Sequence, residues 1–253
     1  MKLSLIVPCY NEKPNLPRLL ERFRTVVGSR PDVEVILVDN GSTDGSAEVF
    51  AEELAKPQNR FARMVRVPVN RGYGFGITSG LRAVRGEFLG WTHADLQTDP
   101  NDLMVGFDKL QAEPDAEHCF LRGRRIGRNF FDALFTGGMS LVASAALGTW
   151  LNDINAQPKM FHRSFFESLT TPPDDFALDL YVLYSAKKAG LKVIELPVVF
   201  AKREAGEAKG GGSLRGKYKL TKRTFRYILA LRRGLSLNPI PVKARAVVHG
   251  RGD

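Results

Sequence analysis

The sequence has few cysteines and no long apolar run. Its two cysteines, Cys9 and Cys119, lie far apart and have no second metal ligand at close spacing. These features exclude a disulfide framework and a cysteine-based zinc site, and they favour a reducing compartment. The longest weakly polar stretch, Ser140 to Leu151, is well short of the roughly 20 residues that cross a bilayer. The N-terminal apolar run stops at Pro8 without a cleavage site, so we interpret it as a strand rather than a signal peptide.

An excess of positive charge is absent from most of the chain. Residues 1–201 contain 23 Lys and Arg against 24 Asp and Glu, whereas residues 202–253 contain 14 against 3. The net charge of +10 therefore belongs to the last fifth of the sequence. No aromatic stacking platform accompanies these charges, so we expect no nucleic-acid partner. The apolar fraction of 43% excludes a disordered or collagen-like chain.

What is present is an alternation of strands and helices. Apolar β-rich runs predict strands at 3–8, 33–38, 64–67, 87–92 and 192–200. Helical periodicity predicts helices at 15–27, 47–54, 78–85, 102–111, 130–150 and 179–189. This order predicts an α/β protein with a doubly wound, mainly parallel sheet. Such sheets bind ligands beyond the carboxyl ends of their strands, where polar clusters follow Val7, Val38 and Trp91.

The C-terminal part differs in composition from the body. A glycine-rich hinge at 206–212 precedes apolar residues at 214, 218, 225, 228 and 229 and a threonine at 221, with Lys and Arg between them. This spacing predicts a basic amphipathic helix. We therefore divide the chain into a body (1–212), a basic amphipathic helix (213–234) and a mobile tail or arm (235–253).

The most informative polar cluster follows the fourth predicted strand, at residues 93–100. A carboxylate at the tip of a strand, such as Asp95, can hold a divalent cation that neutralises a diphosphate. The alternative is that the cluster only caps the helix that begins near Asp102. The order of the other segments favours the first interpretation.

Four segments resemble the inverting family-2 glycosyltransferases, closest to the dolichol-phosphate-mannose synthase-like branch. They are Val-Pro-Cys-Tyr-Asn-Glu at 7–12, Val-Asp-Asn-Gly-Ser-Thr-Asp-Gly at 38–45, Asn-Arg-Gly-Tyr-Gly at 70–74 and Ala-Asp-Leu-Gln at 94–97. Two later segments, 195–198 and 203–209, are similar to the closing motif of that branch. The resemblance covers roughly residues 3–210. It implies a GT-A-type nucleotide-diphospho-sugar transferase fold, a nucleotide-diphospho-sugar donor and an Mg²⁺ or Mn²⁺ ion.

The matched positions imply a donor site. Its residues would be Pro8, Tyr10, Glu12, Asp39, Arg71, His93 and Asp95. Tyr10 would stack on the nucleoside or merely pack in its loop, and Asp39 would accept a hydrogen bond from the base or ribose or cap the next helix. Arg71 would reach the diphosphate or base, or lie in a solvated loop. Asn40 replaces the second Asp that is usual in the family, which leaves the base open.

The same resemblance implies a metal site. Asp95 is the first choice of ligand, and Gln97 would assist through its carbonyl oxygen. The family's usual Asp-Ala-Asp triplet begins here with His93. A neutral imidazole can ligate a metal or bond a phosphate, but it cannot replace the missing negative charge. We therefore expect an altered metal site.

The nature of the acceptor decides which further residues matter. A hydroxyl acceptor needs a carboxylate base within hydrogen-bond reach, for which Asp153, Asp175 and Asp179 are candidates. A lipid-phosphate acceptor is already an anion and needs cations instead. The candidates are Arg122, Arg124, Arg125, Arg128, Arg203 and Lys209, unless residues 122–128 form only a solvated loop. Residues 157–159, Gln-Pro-Lys, depart from the family's pattern next to the acceptor site, so the acceptor can differ as well.

We expect a metal-assisted inverting glycosyltransferase of the hexosyltransferase type, cytoplasmic and peripheral on the inner face of the membrane. It would transfer a sugar to a polyprenyl-phosphate or other lipid-linked acceptor. The alternatives are transfer to a hydroxyl in polysaccharide or glycan assembly, and a non-catalytic nucleotide-binding subunit, which His93 motivates. The basic helix would bind an anionic membrane surface, pack on the body, or join a second copy in a homo-oligomer.

Overall fold

The computed structural model describes residues 1–127, 130–201, 222 and 225–233, without the side chains of 130–136 and 139. Its strands are β1 (Leu3–Cys9), β2 (Val33–Asn40), β3 (Ala62–Val67), β4 (Phe88–Trp91), β5 (Cys119–Ile126), β6 (Lys159–His162) and β7 (Lys192–Val199). They form one sheet in the order β3-β2-β1-β4-β6-β5-β7. Only β6 runs antiparallel to its neighbours among these strands. The predicted α/β architecture with a mainly parallel sheet is confirmed.

Helices cover both faces of the sheet. They are α1 (Leu16–Val27), α2 (Ser46–Leu54), α3 (Tyr73–Arg82), α4 (Pro100–Gln111), α5 (Phe130–Leu147), α6 (Arg163–Ser168) and α7 (Leu178–Lys188). Successive side chains of a strand point to opposite faces. Leu5 and Val7 of β1 therefore join a core with α1, α2 and α4, whereas Ile6 joins a second core with α3, α5 and α7. Burial on both faces explains why β1 and β2 are apolar almost throughout.

Some elements differ from the sequence prediction. Strands β5 and β6 and helix α6 were not predicted, and α3 begins at Tyr73 rather than Thr78. Glycines at the start of α3 weaken the helical pattern in the sequence. They are needed there because the neighbouring chain leaves no room for a side chain. A Cβ on Gly74 would lie 2.2 Å from the carbonyl oxygen of Pro173, and one on Gly76 would lie 2.8 Å from the Asn40 amide.

Part of the predicted C-terminal helix can be located. Residues 225–233 are helical, and Ile228 is fully buried in the second core together with parts of Tyr227 and Leu231. Apart from Lys222, the rest of the predicted helix 213–234 and the tail 235–253 lie outside the described residues. Within the described part of the chain, no helix is both long and apolar enough to cross a membrane.

Candidate active site

The loops after β1 and β2 are joined at the carboxyl edge of the sheet. The Asn11 amide donates to Ser42 Oγ at 3.1 Å, and the Thr43 amide donates to Asn11 Oδ1 at 2.8 Å. Asn11 has a φ of 53°, in the left-handed region that Asn tolerates better than most residues. Tyr10 and Glu12 lie on the same loop, and Glu12 Oε2 accepts from Asn15 Nδ2 at 2.6 Å. The loops that follow β1 and β2, which lie next to predicted donor residues, are thus hydrogen-bonded to each other.

Asp39 is buried at the end of β2, with its side chain 1% exposed. Its Oδ1 accepts from the Ser42 amide at 3.0 Å, whereas its Oδ2 has no hydrogen-bond partner among the described residues. Arg66 Nε lies 3.8 Å from this oxygen. A buried acceptor left unpaired costs about 1–3 kcal/mol. The predicted role of Asp39 in accepting a hydrogen bond from the base or ribose stays a prediction.

Asn40 holds the neighbouring loop. Its Nδ2 donates to the carbonyl oxygen of Gly72 at 3.0 Å. An ionised aspartate has no hydrogen to donate to that carbonyl. Asn40 departs from the family's pattern, and its hydrogen bond to Gly72 explains why an amide rather than a carboxylate suits this position. The loop it holds carries Arg71, whose Nη2 bonds Asp174 Oδ2 at 2.9 Å and whose Cζ lies 4.0 Å from the centre of the Phe75 ring.

The loop after β4 presents Asp95. Its side chain is largely buried, and its Oδ1 accepts from the Gln97 amide at 3.2 Å. Leu96 between them has a φ of 60°, and its carbonyl accepts from Arg22 Nη1 at 3.1 Å. Gln97 makes two hydrogen bonds with Ala201. Its side-chain Nε2 donates to the Ala201 carbonyl oxygen, and the Ala201 amide donates to the Gln97 carbonyl oxygen. These bonds hold the Asp95 loop in a strained but well-supported conformation.

The residues around Asp95 are compatible with the way in which proteins usually bind Mg²⁺. No cluster of three or more His, Cys, Asp and Glu that could hold a metal occurs among the described residues. Mg²⁺, however, is usually bound by one or two carboxylates together with substrate phosphates and waters, not by a cage of protein ligands. A single buried carboxylate at the tip of β4 meets that requirement. Asp95 would hold the ion, and the donor's diphosphate would supply the remaining charge.

His93 lies beside this loop in an enclosed position. Burial lowers its pKa below the usual 6.5, and the opposing effect of the Asp95 and Asp179 carboxylates does not overcome it. Its ring centre is 5.8 Å from that of Tyr73, which stacks on Phe176 at 4.9 Å. Burial thus favours the neutral form of the His93 imidazole, which lies in a partly aromatic setting. Its predicted role as a metal or phosphate ligand stays a prediction.

A buried polar network lies beneath the site. Lys159 Nζ bonds Asp179 Oδ1 at 2.7 Å, and both side chains are 3% exposed or less. Gln157 Nε2 donates to the same carboxylate oxygen at 3.1 Å and to the Tyr73 hydroxyl at 3.2 Å. Burial lowers the pKa of Lys159, and Asp179 opposes that effect. Asp179, a predicted base, is thus engaged by a lysine and an amide.

The arginines of β5 form a second network. Arg125 bonds the Asp153 carboxylate through its side chain, and its backbone amide donates to Asp153 Oδ2 at 2.7 Å. Arg122 is 1% exposed and bonds Glu195 and the carbonyl oxygen of Asn152, the latter at 2.7 Å. The solvated-loop alternative is therefore wrong for Arg122.

The remaining predicted residues are only partly located. Arg124 is 45% exposed and lies 3.3 Å from Glu195 Oε2, while Asp175 Oδ1 accepts from the Ala177 amide at 2.8 Å. Pro8 lies on β1 opposite Val38. The predicted phosphate-binding residues Arg128, Arg203 and Lys209 lie outside the described residues. Lys159, Gln157 and Tyr73 are site residues without a predicted role, and the only signal for them in the sequence is the departure from the family pattern at 157–159.

The mixed sheet, with polar loops gathered at its carboxyl edge, defines a GT-A-like protein of the glycosyltransferase class. The chain belongs to glycosyl transferase family 2, whose family model matches residues 4–169. The structure of glucosyl-3-phosphoglycerate synthase from Mycobacterium tuberculosis with Mn²⁺, UDP and glucosyl-3-phosphoglycerate is similar, with a TM-score of 0.68 and 18% identity. The match covers 96% of this chain and 81% of that one, and it supports the fold.

Curated relatives are also similar in sequence. The undecaprenyl-phosphate 4-deoxy-4-formamido-L-arabinose transferase of Photorhabdus laumondii is 29% identical over 215 residues, which cover 82% of this chain. The protein of the same name from Pseudomonas fluorescens is 28% identical over 218 residues, again 82% of this chain. The chain spans 62% and 59% of the length of these two relatives, respectively.

Proposed function

We propose that the chain transfers a sugar from a nucleotide-diphospho-sugar to a polyprenyl phosphate, with inversion at the anomeric carbon. The proposed class of acceptor rests on one observation, which is that each of the two best candidate bases is held in an ion pair. Asp153 is paired with Arg125, and Asp179 with Lys159. A carboxylate held by a cation is a weak proton acceptor. A site of this kind suits an acceptor that carries no proton to remove, and the named relatives act on undecaprenyl phosphate.

The reaction then balances without a protein base. A phosphate oxygen of the acceptor forms a bond to the anomeric carbon while the bond from that carbon to the diphosphate oxygen breaks. The electron pair of the broken bond leaves with the nucleoside diphosphate. A divalent ion bound at Asp95 would stabilise the charge on that leaving group. Arg124 at the end of β5, whose side chain is 45% exposed, would attract the acceptor phosphate.

The experiment compares two acceptor chemistries. The full chain is incubated with UDP- and GDP-sugars, Mn²⁺ or Mg²⁺, and either undecaprenyl phosphate in detergent or an oligosaccharide. Mass spectrometry of the products reads out sugar transfer. We expect a lipid-linked sugar phosphate. Transfer to the oligosaccharide alone would favour the hydroxyl-acceptor alternative, and nucleotide binding without any transfer would favour a non-catalytic subunit.

We further propose that the second-core side of the molecule lies on an anionic membrane. Exposed apolar side chains occur on or just after α5 and on the helix at 225–233, namely Leu141, Val142, Trp150, Phe225 and Leu229. Exposed cations accompany them at Lys222, Arg226, Arg232 and Arg233. Apolar and basic residues together favour an anionic interface. Contact with a second copy of the chain is the alternative, and sedimentation of the lipid-free protein tests it.

A further inference from the structure

We infer that Arg22 of α1 is a positioning residue for the proposed metal site, because it fixes the peptide group that orients the Asp95 carboxylate. The inference rests on the proposed metal-assisted transfer from a nucleotide-diphospho-sugar. Arg22 lies outside every segment that resembles the family's motifs, and it is 74 positions away from the residue that it contacts, Leu96. We assign Arg22 an effect through Asp95 and no contact with the donor or the ion.

The peptide group between Leu96 and Gln97 connects Arg22 to Asp95. Its carbonyl oxygen accepts a hydrogen bond from Arg22 Nη1 at 3.1 Å, and its amide donates to Asp95 Oδ1 at 3.2 Å. A peptide group is planar and rigid, so the position of its carbonyl determines the direction of its N–H. The Arg22 guanidinium therefore holds one end of a rigid unit whose other end bonds the carboxylate.

This peptide group needs an external partner because Leu96 has an unfavourable backbone conformation. Its φ of 60° lies in the left-handed region, where the Cβ atom is too close to the following carbonyl oxygen. Rotation of Leu96 to an ordinary φ would turn the peptide group and withdraw the Gln97 amide from Asp95. The bond from Arg22 opposes that rotation, and a charged donor makes a stronger hydrogen bond than a neutral one.

Other contacts of the loop fix different parts of it. The hydroxyls of Thr92 and Thr98 bond at 2.9 Å and close its base, and the Leu96 side chain is buried in the first core. The bonds between Gln97 and Ala201 engage the Gln97 side chain and the next peptide group along the chain. None of these contacts engages the Leu96–Gln97 peptide group, whose carbonyl is held from α1.

The expected consequence is a weaker hold on the metal ion, not a general loss of nucleotide binding. Carboxylates that ligate a metal are themselves held by hydrogen bonds, and loss of such supporting groups typically costs roughly 10- to 100-fold in metal affinity or activity. Without Arg22, the Gln97 amide would no longer hold the Asp95 carboxylate in one orientation. Nucleotide binding in the absence of metal does not depend on that orientation.

Titration of the full chain with Mn²⁺ in the presence of UDP or GDP, followed by the EPR signal of the free ion, tests the inference. We expect Arg22→Met to raise the Kd for Mn²⁺ by about tenfold or more. Calorimetry in EDTA should show unchanged affinity for the nucleotide. Arg22→Lys should retain most of the Mn²⁺ affinity, because an ammonium can donate to the same carbonyl.

The matched control is Arg24→Met, which removes an arginine from the same helix. Arg24 lies 4.0 Å from Glu21 on the surface of α1. Met and Arg have similar helix propensities, so both substitutions remove one positive charge and leave the helix equally stable. Arg24→Met is expected to leave the affinities for Mn²⁺ and for nucleotide unchanged.

The possible results separate failure of this inference from failure of the proposed function. Wild-type Mn²⁺ affinity in Arg22→Met, or an equal loss of metal-free nucleotide affinity, would overturn the role of Arg22 while leaving a nucleotide site in place. Binding of no nucleotide by the wild-type chain would overturn the proposed function itself. Thermal unfolding shows whether each variant keeps its fold. If Arg22→Met unfolds, Arg22→Gln supplies the test, since its polar side chain is shorter than that of arginine.

Discussion

Among single residues, Asp95 is the one on which metal-assisted donor binding depends most. We expect Asp95→Asn to lower transfer by about 100-fold or more, as when one electrostatic stabiliser of a transition state is removed. It should also abolish the Mn²⁺-dependent part of nucleotide binding, measured by thermal shift. Asp99→Asn is the matched control, because Asp99 is an exposed N-cap of α4 and Asn caps a helix equally well. Full activity in Asp95→Asn would contradict the assignment.

The buried Lys159–Asp179 ion pair is a second feature at the scale of single residues, and it affects the stability of the fold. Removing one member leaves an uncompensated buried charge, which costs about 3–5 kcal/mol. We therefore expect Lys159→Met to lower the free energy of unfolding by that amount, measured with denaturant. The double variant with Asp179→Leu should recover most of the loss. Lys2→Met, which breaks the exposed pair with Glu87, should cost under about 1 kcal/mol. Equal costs for the two single lysine variants would contradict this account.

Tyr73, which belongs to the same buried network, is expected to make the stability of the folded chain depend on pH above 10.0. Burial raises its pKa well above the usual 10.0, and the Asp179 carboxylate raises it further. The folded chain therefore keeps this proton at a pH where the unfolded chain loses it. The resulting stabilisation is complete below pH 10.0 and is lost as pH rises through the folded-state pKa. We expect Tyr73→Phe to lose stability less steeply above pH 10.0 than the wild type, and parallel curves would contradict the prediction.

For whole elements, helix α5 and the helix at 225–233 are the parts that we propose to meet a membrane. Leu141 and Trp150 are 60% and 62% exposed. Burying such a side chain contributes about 1.5–3 kcal/mol, so replacing each with Ser should weaken vesicle binding about tenfold or more. Val105→Ser is the control, since Val105 is 48% exposed on α4, which covers the opposite face of the sheet. Flotation with anionic vesicles measures the binding, and equal losses in all three variants would contradict a specific membrane face.

The elements also show which features a sequence pattern can predict. Strands β1 and β2 were predictable because burial on both faces makes them apolar almost throughout. Strand β5 was not, because three arginines within it are typical of a loop. The burial of Arg122 depends on Glu195, which lies 73 positions away. The Lys159–Asp179 pair likewise forms only when β6 meets the start of α7, so its residues carry no local signal of pairing. The orphan oxygen of Asp39 became apparent only from the folded geometry.

For the whole molecule, the uneven distribution of charge predicts that membrane binding depends on salt, which the exposed apolar residues alone do not predict. The nearly neutral body, residues 1–201, is joined to a segment with 14 basic and 3 acidic residues. If that segment binds anionic lipid, binding is screened by salt, because the Debye length falls from about 10 Å at 0.1 M to about 3 Å at 1 M.

We therefore expect the full chain to bind vesicles rich in phosphatidylglycerol at least about tenfold more tightly at low than at high ionic strength, since each basic residue near the surface contributes about 1 kcal/mol. Neutral vesicles should show only the weaker, salt-insensitive contribution of Leu141 and Trp150. Flotation at several salt concentrations, with sedimentation of the lipid-free chain, measures both. If salt leaves lipid binding unchanged but dissociates an oligomer, the basic segment serves a second copy of the chain instead of a membrane.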